Sequence, residues 1–259
     1  MLSQRQKVPA QSLQNKYAFG LHETLEFTVS YHWGLIWIDA GIVDFKVSEK
    51  KHQSEKAFHF LSTGRSFRKF DWLFRVRDTF EAVTYQKDLS PVWFRRHTHE
   101  GGYFILNEYT FDHQKRIVTG KNSETGKGSF LDTIPFPKNS YDVLTATYAA
   151  RSLDFGKLKP SDTLQMQMIL DGKVFTLPIV YQGKEVIKNR DGIRYNCIKF
   201  SAILDRGTMF KAGEQLIVWV SDDKNKVPVM MEAKIRVGSI KIHLSGHENL
   251  RHPLTSLIK

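Results

Sequence analysis

Hydrophobic side chains recur at every second position over most of this sequence, and that spacing constrains the fold more than any other feature. Leu25, Phe27, Val29 and Tyr31 alternate with Glu26, Thr28, Ser30 and His32, as in a strand with one face on a core and the other in water. Similar runs follow at Trp37, Ile38, Ile42, Val43, Phe45 and Val47, at Phe58 and Phe60, at Phe70, Trp72, Phe74 and Val76, and at Phe80 and Val83. Trp93 and Phe94 lead into Tyr103, Ile105, Tyr109 and Phe111. In the second half Leu164, Met166, Met168 and Leu170 are followed, across Asp171-Gly172, by Phe175, Leu177, Ile179 and Tyr181. Asp-Gly between two alternating runs predicts a tight hairpin, because the turn needs positive φ. Asp191-Gly192 repeats the device, and Asp222–Lys226 predicts a third turn. Pro228 then suits an edge or a strand start, since it has no ladder donor.

One segment reads as helix. Ser140 is placed to cap residues 141–152, Asp142 favours the dipole of the first turn, and Gly156 ends the element. Leu144, Tyr148 and Arg151 fall on one face. Residues 120–139, with Gly120, Gly126, Gly128, Pro135 and Pro137, read as a loop or linker. Many strands, one helix and many strands again exclude a repeated strand–helix alternation. The expected fold is all-β with one helix, a long antiparallel meander curled into a barrel-like or half-barrel sheet, which manages its edges by bending. The helix is expected across the open face. Residues 1–19 are read as a flexible N-terminal extension, 20–250 as the single curled-sheet domain, and 251–259 as a C-terminal tail.

Composition excludes other classes. Hydrophobic residues make 41% and aromatics 12% of 259 residues, too apolar for intrinsic disorder. One cysteine excludes a disulfide scaffold. No run approaches the roughly 18 apolar residues of a membrane-spanning helix. The start Met1–Lys7 lacks the apolar core of a secretion signal. The 38 Lys and Arg outnumber 27 Asp and Glu, for a net +11. That favours an acidic partner such as anionic lipid, glycan or nucleic acid. The densest cations, Arg65, Arg68, Lys69, Arg75 and Arg77, then Arg95, Arg96 and His97, lie in strand-like runs, where a solvated sheet face accounts for them.

The sequence holds no phosphate loop, nucleophile elbow or paired-cysteine zinc pattern. Gly126-Lys127-Gly128 has no strand–loop–helix context and reads as a surface loop. His97 and His99, two apart on a strand, share a face and can reach one ion, with His113 or Glu108 as a third ligand; a polar strand face is the simpler reading, and no metal or other cofactor is expected. Cys197 reads as a small core residue. Asp222 and Asp223 read as a solvated hairpin tip. The aromatics Trp33, Trp37, Trp72, Trp93 and Trp219 fill a core or line a cavity. Arg151, drawn inward beside Leu144 and Tyr148, needs a carboxylate partner, for which Glu100 or Asp78 on the sheet is preferred, or else it forms an anion site.

Several phrases occur together in order: Trp33-Gly34 with Leu35–Gly41, Val76-Arg77-Asp78, Glu100-Gly101-Gly102-Tyr103, Tyr141-Asp142-Val143-Leu144 with Arg151 and Asp154-Phe155, Tyr181–Glu185, Val218–Asp223 and Val237–Lys241. This set resembles the exported bacterial domain-of-unknown-function family numbered 3108, over about residues 20 to 250. The resemblance implies an all-β curled antiparallel sheet and residence in the periplasm or at the outer membrane. It implies no activity and no catalytic residues.

Three functions follow as expectations. The first is a non-enzymatic periplasmic protein binding an apolar or glycan ligand, a lipid or an envelope protein on a concave face lined by Trp37, Trp72, Trp219 and Tyr148, with Arg151 near its rim. The second is a glycan hydrolase, which requires two of Glu100, Asp78, Asp222 and Asp223 to converge in a cleft. The third is a nucleic-acid binder, which requires a contiguous basic face with exposed aromatics; the spread of the cations argues against it.

Overall fold

In a computed structural model the described residues are 17–33, 36–203, 215–234 and 238–258. The expected extension over residues 1–16 and the side chain of Trp33 lie outside the described residues. From β1 (Thr24–Trp33) the chain runs through β2 (Ile36–His52), β3 (Glu55–Ser66), β4 (Val76–Tyr85), β5 (Pro91–Glu100), β6 (Tyr103–Asp112), β7 (Ile117–Glu124) and β8 (Gly128–Pro135), each antiparallel to its predecessor. After β9 (Ser140–Asp142) and the one α-helix among the described residues, α1 (Val143–Arg151), come β10 (Thr163–Leu170), β11 (Lys173–Lys188), β12 (Arg194–Ile203), β13 (Gln215–Ser221), β14 (Pro228–Lys234), β15 (Ser239–Glu248) and the short β16 (Leu257–Ile258). The two meanders join where β1 pairs β15, in the middle of one sheet ordered β8 to β1, then β15 to β9.

This order curls the sheet. Its two ends, β8 and β9, are linked by only residues 136–139, which span at most about 18 Å. The far ends therefore lie close together without pairing, and the barrel stays open. The gap is bridged elsewhere. The Asp171-Gly172 turn between β10 and β11, with both residues at positive φ as expected of that dipeptide, reaches the first meander. Arg96 Nη1 on β5 meets Asp171 Oδ1 at 3.0 Å, and Gly172 N donates to Tyr109 Oη on β6 at 2.9 Å.

The inside of the curl is solid. Phe58, Phe60, Phe94, Tyr109, Met166, Met168, Ile179, Ile198, Phe200, Val218 and Val220 form one buried cluster with Leu144, Tyr148 and Ala149 of α1. Tyr148 stacks on Phe60 with ring centroids 4.0 Å apart and meets Phe19 edge-on at 4.9 Å. The helix starts two residues later than expected, and its cap is Asp142, not Ser140. Asp142 Oδ1 accepts from Leu144 N at 3.0 Å and Thr145 N at 2.8 Å, and Oδ2 accepts from the Thr145 hydroxyl at 2.6 Å. Ser140 is drawn instead into the parallel pairing of β9 with β10.

Other boundaries also move. Tyr17, Ala18 and Phe19, assigned to the loose extension, are buried. Residues 120–139 are a hairpin rather than a linker: β7 and β8 turn about Gly126. Its inward positions include Gly120 and Asn122, so the alternation exists without being hydrophobic. The C-terminal segment is held to the body, with β16 paired to β12 and Ser256 buried. Phe70, Trp72 and Phe74 do not form a strand. Residues 68–70 make a 3-10 turn, and the chain continues turning to Phe74, with Leu73 N and Phe74 N both donating to Phe70 O at 3.0 Å.

Candidate functional site

The inner face becomes polar toward the end of the sheet where β3 leads into β4 and β5 into β6. Asp78 opposes Gly64 on β3 and Thr98 on β5, so no bulky neighbour from β3 covers it. Its Oδ1 accepts from His99 N at 3.1 Å, and its carboxyl hydrogen-bonds that of Glu100. Burial, then the Glu100 charge, push Asp78 up to about 7. Two positions from Thr98 on the same face stands buried Arg96, and Asn107, opposite Arg96, donates to Asn122 Oδ1 at 2.7 Å.

Of the four acids considered for hydrolysis, Asp78 and Glu100 meet and the others do not. Asp222 pairs with Lys184 at 2.7 Å. Asp223 organises its turn, accepting from the Ser221 hydroxyl at 2.9 Å and from Asn225 N at 3.0 Å. Two carboxyls in direct hydrogen bond leave no room between them for a glycosidic bond, which glycosidases place between carboxylates roughly 5–10 Å apart. Two clefts among the described residues, of ≈ 160 and ≈ 230 Å³, lie elsewhere. Both are smaller than the roughly 300 Å³ at which ligand pockets begin.

The Asp78 pair has a measurable consequence. A carboxyl raised in the folded state binds its proton more tightly there than in the unfolded chain, so its contribution to stability is present below the unfolded value near 4 and is lost as pH rises through about 7. Asp78→Asn, which copies the protonated form, is expected to raise the melting temperature at pH 8 and change it little at pH 4. Equal shifts at both pH values would sink this assignment.

The residues singled out from the sequence are not gathered on one concave surface. Tyr148 is deep in the core. Arg151 is 4% exposed and lies inside, not at a rim. Its partner is Glu23, 1% exposed, rather than Glu100 or Asp78: Nη1 meets Oε1 at 2.5 Å and Nη2 meets Oε2 at 3.0 Å. Nη2 also donates to Asn225 O at 3.0 Å. This bidentate pair makes Arg151 structural. Extending the β1 alternation back two places from Leu25 would have pointed Glu23 inward. Trp219 lies on the opposite sheet face from Val218 and Val220, packed with Cys197, Tyr195 and Val229, and its Nε1 donates to Glu185 Oε2 at 3.0 Å. Trp37 also faces outward, stacked on His32 and covered by Lys241 Nζ at 4.7 Å. The Cys197 thiol is buried and pushed up to about 12 by that burial. His97 and His99 share an exposed face. The third ligands proposed for them are engaged elsewhere: His113 meets Pro91 O at 2.6 Å, and Glu108 accepts from Trp93 Nε1 at 3.0 Å.

Trp72 is the largest departure. It is 82% exposed, beside Leu73 at 50% and Phe74 at 54%, on the turn between β3 and β4. That turn is pinned beneath. Asp71 accepts from the Ser66 hydroxyl at 2.6 Å and from Arg77 Nη2 at 2.6 Å, and Gly101 N donates to Arg75 O at 2.9 Å. The Phe74 ring lies so close over Gly101 that a Cβ there would sit 2.3 Å from it. These bonds hold the three side chains outward on a fixed base. Arg65, in β3, is exposed on a strand as expected, whereas Arg68, Lys69 and Arg75 lie on this turn and not on a strand; all four are exposed.

Comparison with known proteins bears on the fold and the family. The family described as "Protein of unknown function (DUF3108)" matches residues 26–245. The crystal structure of a beta-barrel-like protein of domain-of-unknown-function family DUF1849 from Brucella abortus is similar with a TM-score of 0.55 and 9% identity, over 89% of this chain and 98% of that one. At that identity the likeness is one of fold alone. A "putative lipoprotein" from Parabacteroides distasonis ATCC 8503 aligns over 90% of this chain and 99% of that one at 10% identity, with a TM-score of 0.30, too slight a likeness to argue from. No curated protein matches the sequence significantly.

Proposed function

This chain belongs to the DUF3108 family of proteins of unknown function, and we propose that it is a non-enzymatic protein of the bacterial cell envelope, in the periplasm or at the outer membrane, that binds its partner on the loop rim of the curled sheet. The observation carrying this reading is the contrast between inside and rim. The concave wall is already occupied by α1 and Phe19, whereas Trp72, Leu73 and Phe74 stand in solvent on a turn fixed by Asp71 and Arg77. Exposed large apolar groups held rigidly together mark an interaction site, and a preformed surface loses little conformational freedom on binding. The sheet serves as the frame and α1 as its permanent filling.

Hydrogen exchange with and without an envelope membrane extract tests the assignment. The extract is expected to slow exchange at residues 66–76 and 101–103 and to leave α1 unchanged. Faster exchange along α1 with new protection on the inner strands would mean that a ligand displaces the helix, and would overturn the rim as the binding site. So would an unchanged rim.

A further inference from the structure

Resting on the rim assignment, we propose that the turn between β3 and β4 docks on the surface of an anionic phospholipid bilayer, with Trp72 and Leu73 entering the interface and Arg65, Arg68, Lys69 and Arg75 facing the lipid phosphates. Residues 65–77 carry five cations against the single carboxylate of Asp71. That carboxylate is paired with Arg77 at 2.6 Å, so within residues 65–77 the charges left without an ion pair, those of Arg65, Arg68, Lys69 and Arg75, are all positive. Cations flanking a tryptophan and aliphatic tip form the side-chain composition of a membrane interface: the ring and the leucine sit at the level of the headgroups, and long basic side chains extend to the phosphates.

The geometry favours a bilayer over a protein partner. The tip protrudes, whereas a protein hot spot pairs such side chains with a pocket on its partner. Beyond the tip, Ile36 is 60% exposed at the same end of the sheet, since the register places Gly41 opposite Ser66. A further exposed apolar side chain is thus present at the same end of the sheet as the tip. Lys69 Nζ, 5.0 Å from the Phe70 ring, is free to swing to a headgroup. The +11 net charge adds long-range attraction to the same surface.

Co-sedimentation and tryptophan fluorescence of the full chain test this, using vesicles of phosphatidylglycerol with phosphatidylethanolamine against vesicles of phosphatidylcholine alone. The protein is expected to bind the anionic vesicles with a blue shift in emission and to bind phosphatidylcholine at least about tenfold more weakly. Trp72→Ala with Leu73→Ala should weaken anionic-vesicle binding by about tenfold or more, as two large apolar side chains no longer enter the interface. Trp72→Phe should keep most binding and lose the blue shift. Arg68→Ser with Arg75→Ser should weaken binding and flatten its salt dependence. All these positions are exposed, so an unchanged melting temperature accompanies each variant. Equal binding to both vesicle types, or full binding by the Trp72→Ala, Leu73→Ala variant, overturns the proposal. Absence of vesicle binding while the membrane extract still protects the rim would sink lipid as the partner and leave the rim assignment standing. Vesicle binding with protection elsewhere would sink both.

Discussion

Arg151→Met is expected to destabilise the protein by about 3–5 kcal/mol, the range for removing one partner of a buried ion pair. The substitution keeps most of the side-chain volume and strands the Glu23 carboxylate, which is 1% exposed. The guanidinium also holds three separate parts of the chain: Nη2 reaches Ala18 O at 3.5 Å and Asn225 O at 3.0 Å, and Asn225 in turn accepts from His252 N at 2.9 Å. Its removal therefore loosens the start of the described chain, the β13–β14 turn and the C-terminal segment together. Urea unfolding at neutral pH measures this as a lowered midpoint. Adding Glu23→Leu is expected to restore much of the loss, because a buried pair replaced by packed apolar groups is often neutral or better. A loss below about 1 kcal/mol for Arg151→Met alone would contradict the structural role given to this pair.

Tyr148→Ala is the second large effect, about 3–5 kcal/mol, as for other buried aromatic side chains cut to alanine. The ring stacks on Phe60 and meets Phe19 edge-on in the core, and the surrounding strands are tied by their ladders, so the space cannot close. Tyr148→Phe should behave oppositely. The hydroxyl is buried without a hydrogen-bond partner among the described residues, and burial pushes the phenol far above its usual range. Its removal should leave stability unchanged or raise it by about 1 kcal/mol. A loss from Tyr148→Phe as large as from Tyr148→Ala would show that the hydroxyl has a partner and that the core is less dry than described.

Much of the fold was legible because period two is a direct readout of one face against another. Leu25 and Phe27, Phe58 and Phe60, and Met166 and Met168 are buried as the alternation requires, and Asp171-Gly172 turns where it should. Legibility ended where the inward residues were not hydrophobic. Gly120 and Asn122 hid a hairpin. The β2–β3 hairpin turns at Gln53 and Ser54, both at positive φ without a glycine to announce it. The reverse error arose at Phe70, Trp72 and Phe74, where alternation was present without a strand. There Asp71, bonded to Ser66 and Arg77, stabilises a turn that local hydrophobicity cannot reveal. The aromatics were expected on one concave surface because sequence spacing gives faces within a strand, while which face is inner is fixed only by the neighbours. Trp219 and Trp37 fell on the outer side for that reason. The helical face of Leu144, Tyr148 and Arg151 was legible; the partner of Arg151 was not, because it lies 128 positions away.

The pairing of β1 with β15 joins residues more than 200 positions apart, Thr24 with Glu248 at one end and Tyr31 with Ile240 at the other. Every other ladder in the sheet is between near neighbours along the chain, apart from the short pairing of β16 with β12. Apart from the parallel pairing of β9 with β10 across α1, each half can therefore zip up by successive hairpins, while their union must await the last part of the polypeptide and carries the greatest loop-closure cost. Until that moment each half displays a bare strand in the place that becomes the centre of the finished molecule, open to pairing with another copy or with the wrong segment. Premature truncation after β14 would leave β1 permanently in that condition, so such a fragment should aggregate even though nearly all of the hairpins are intact.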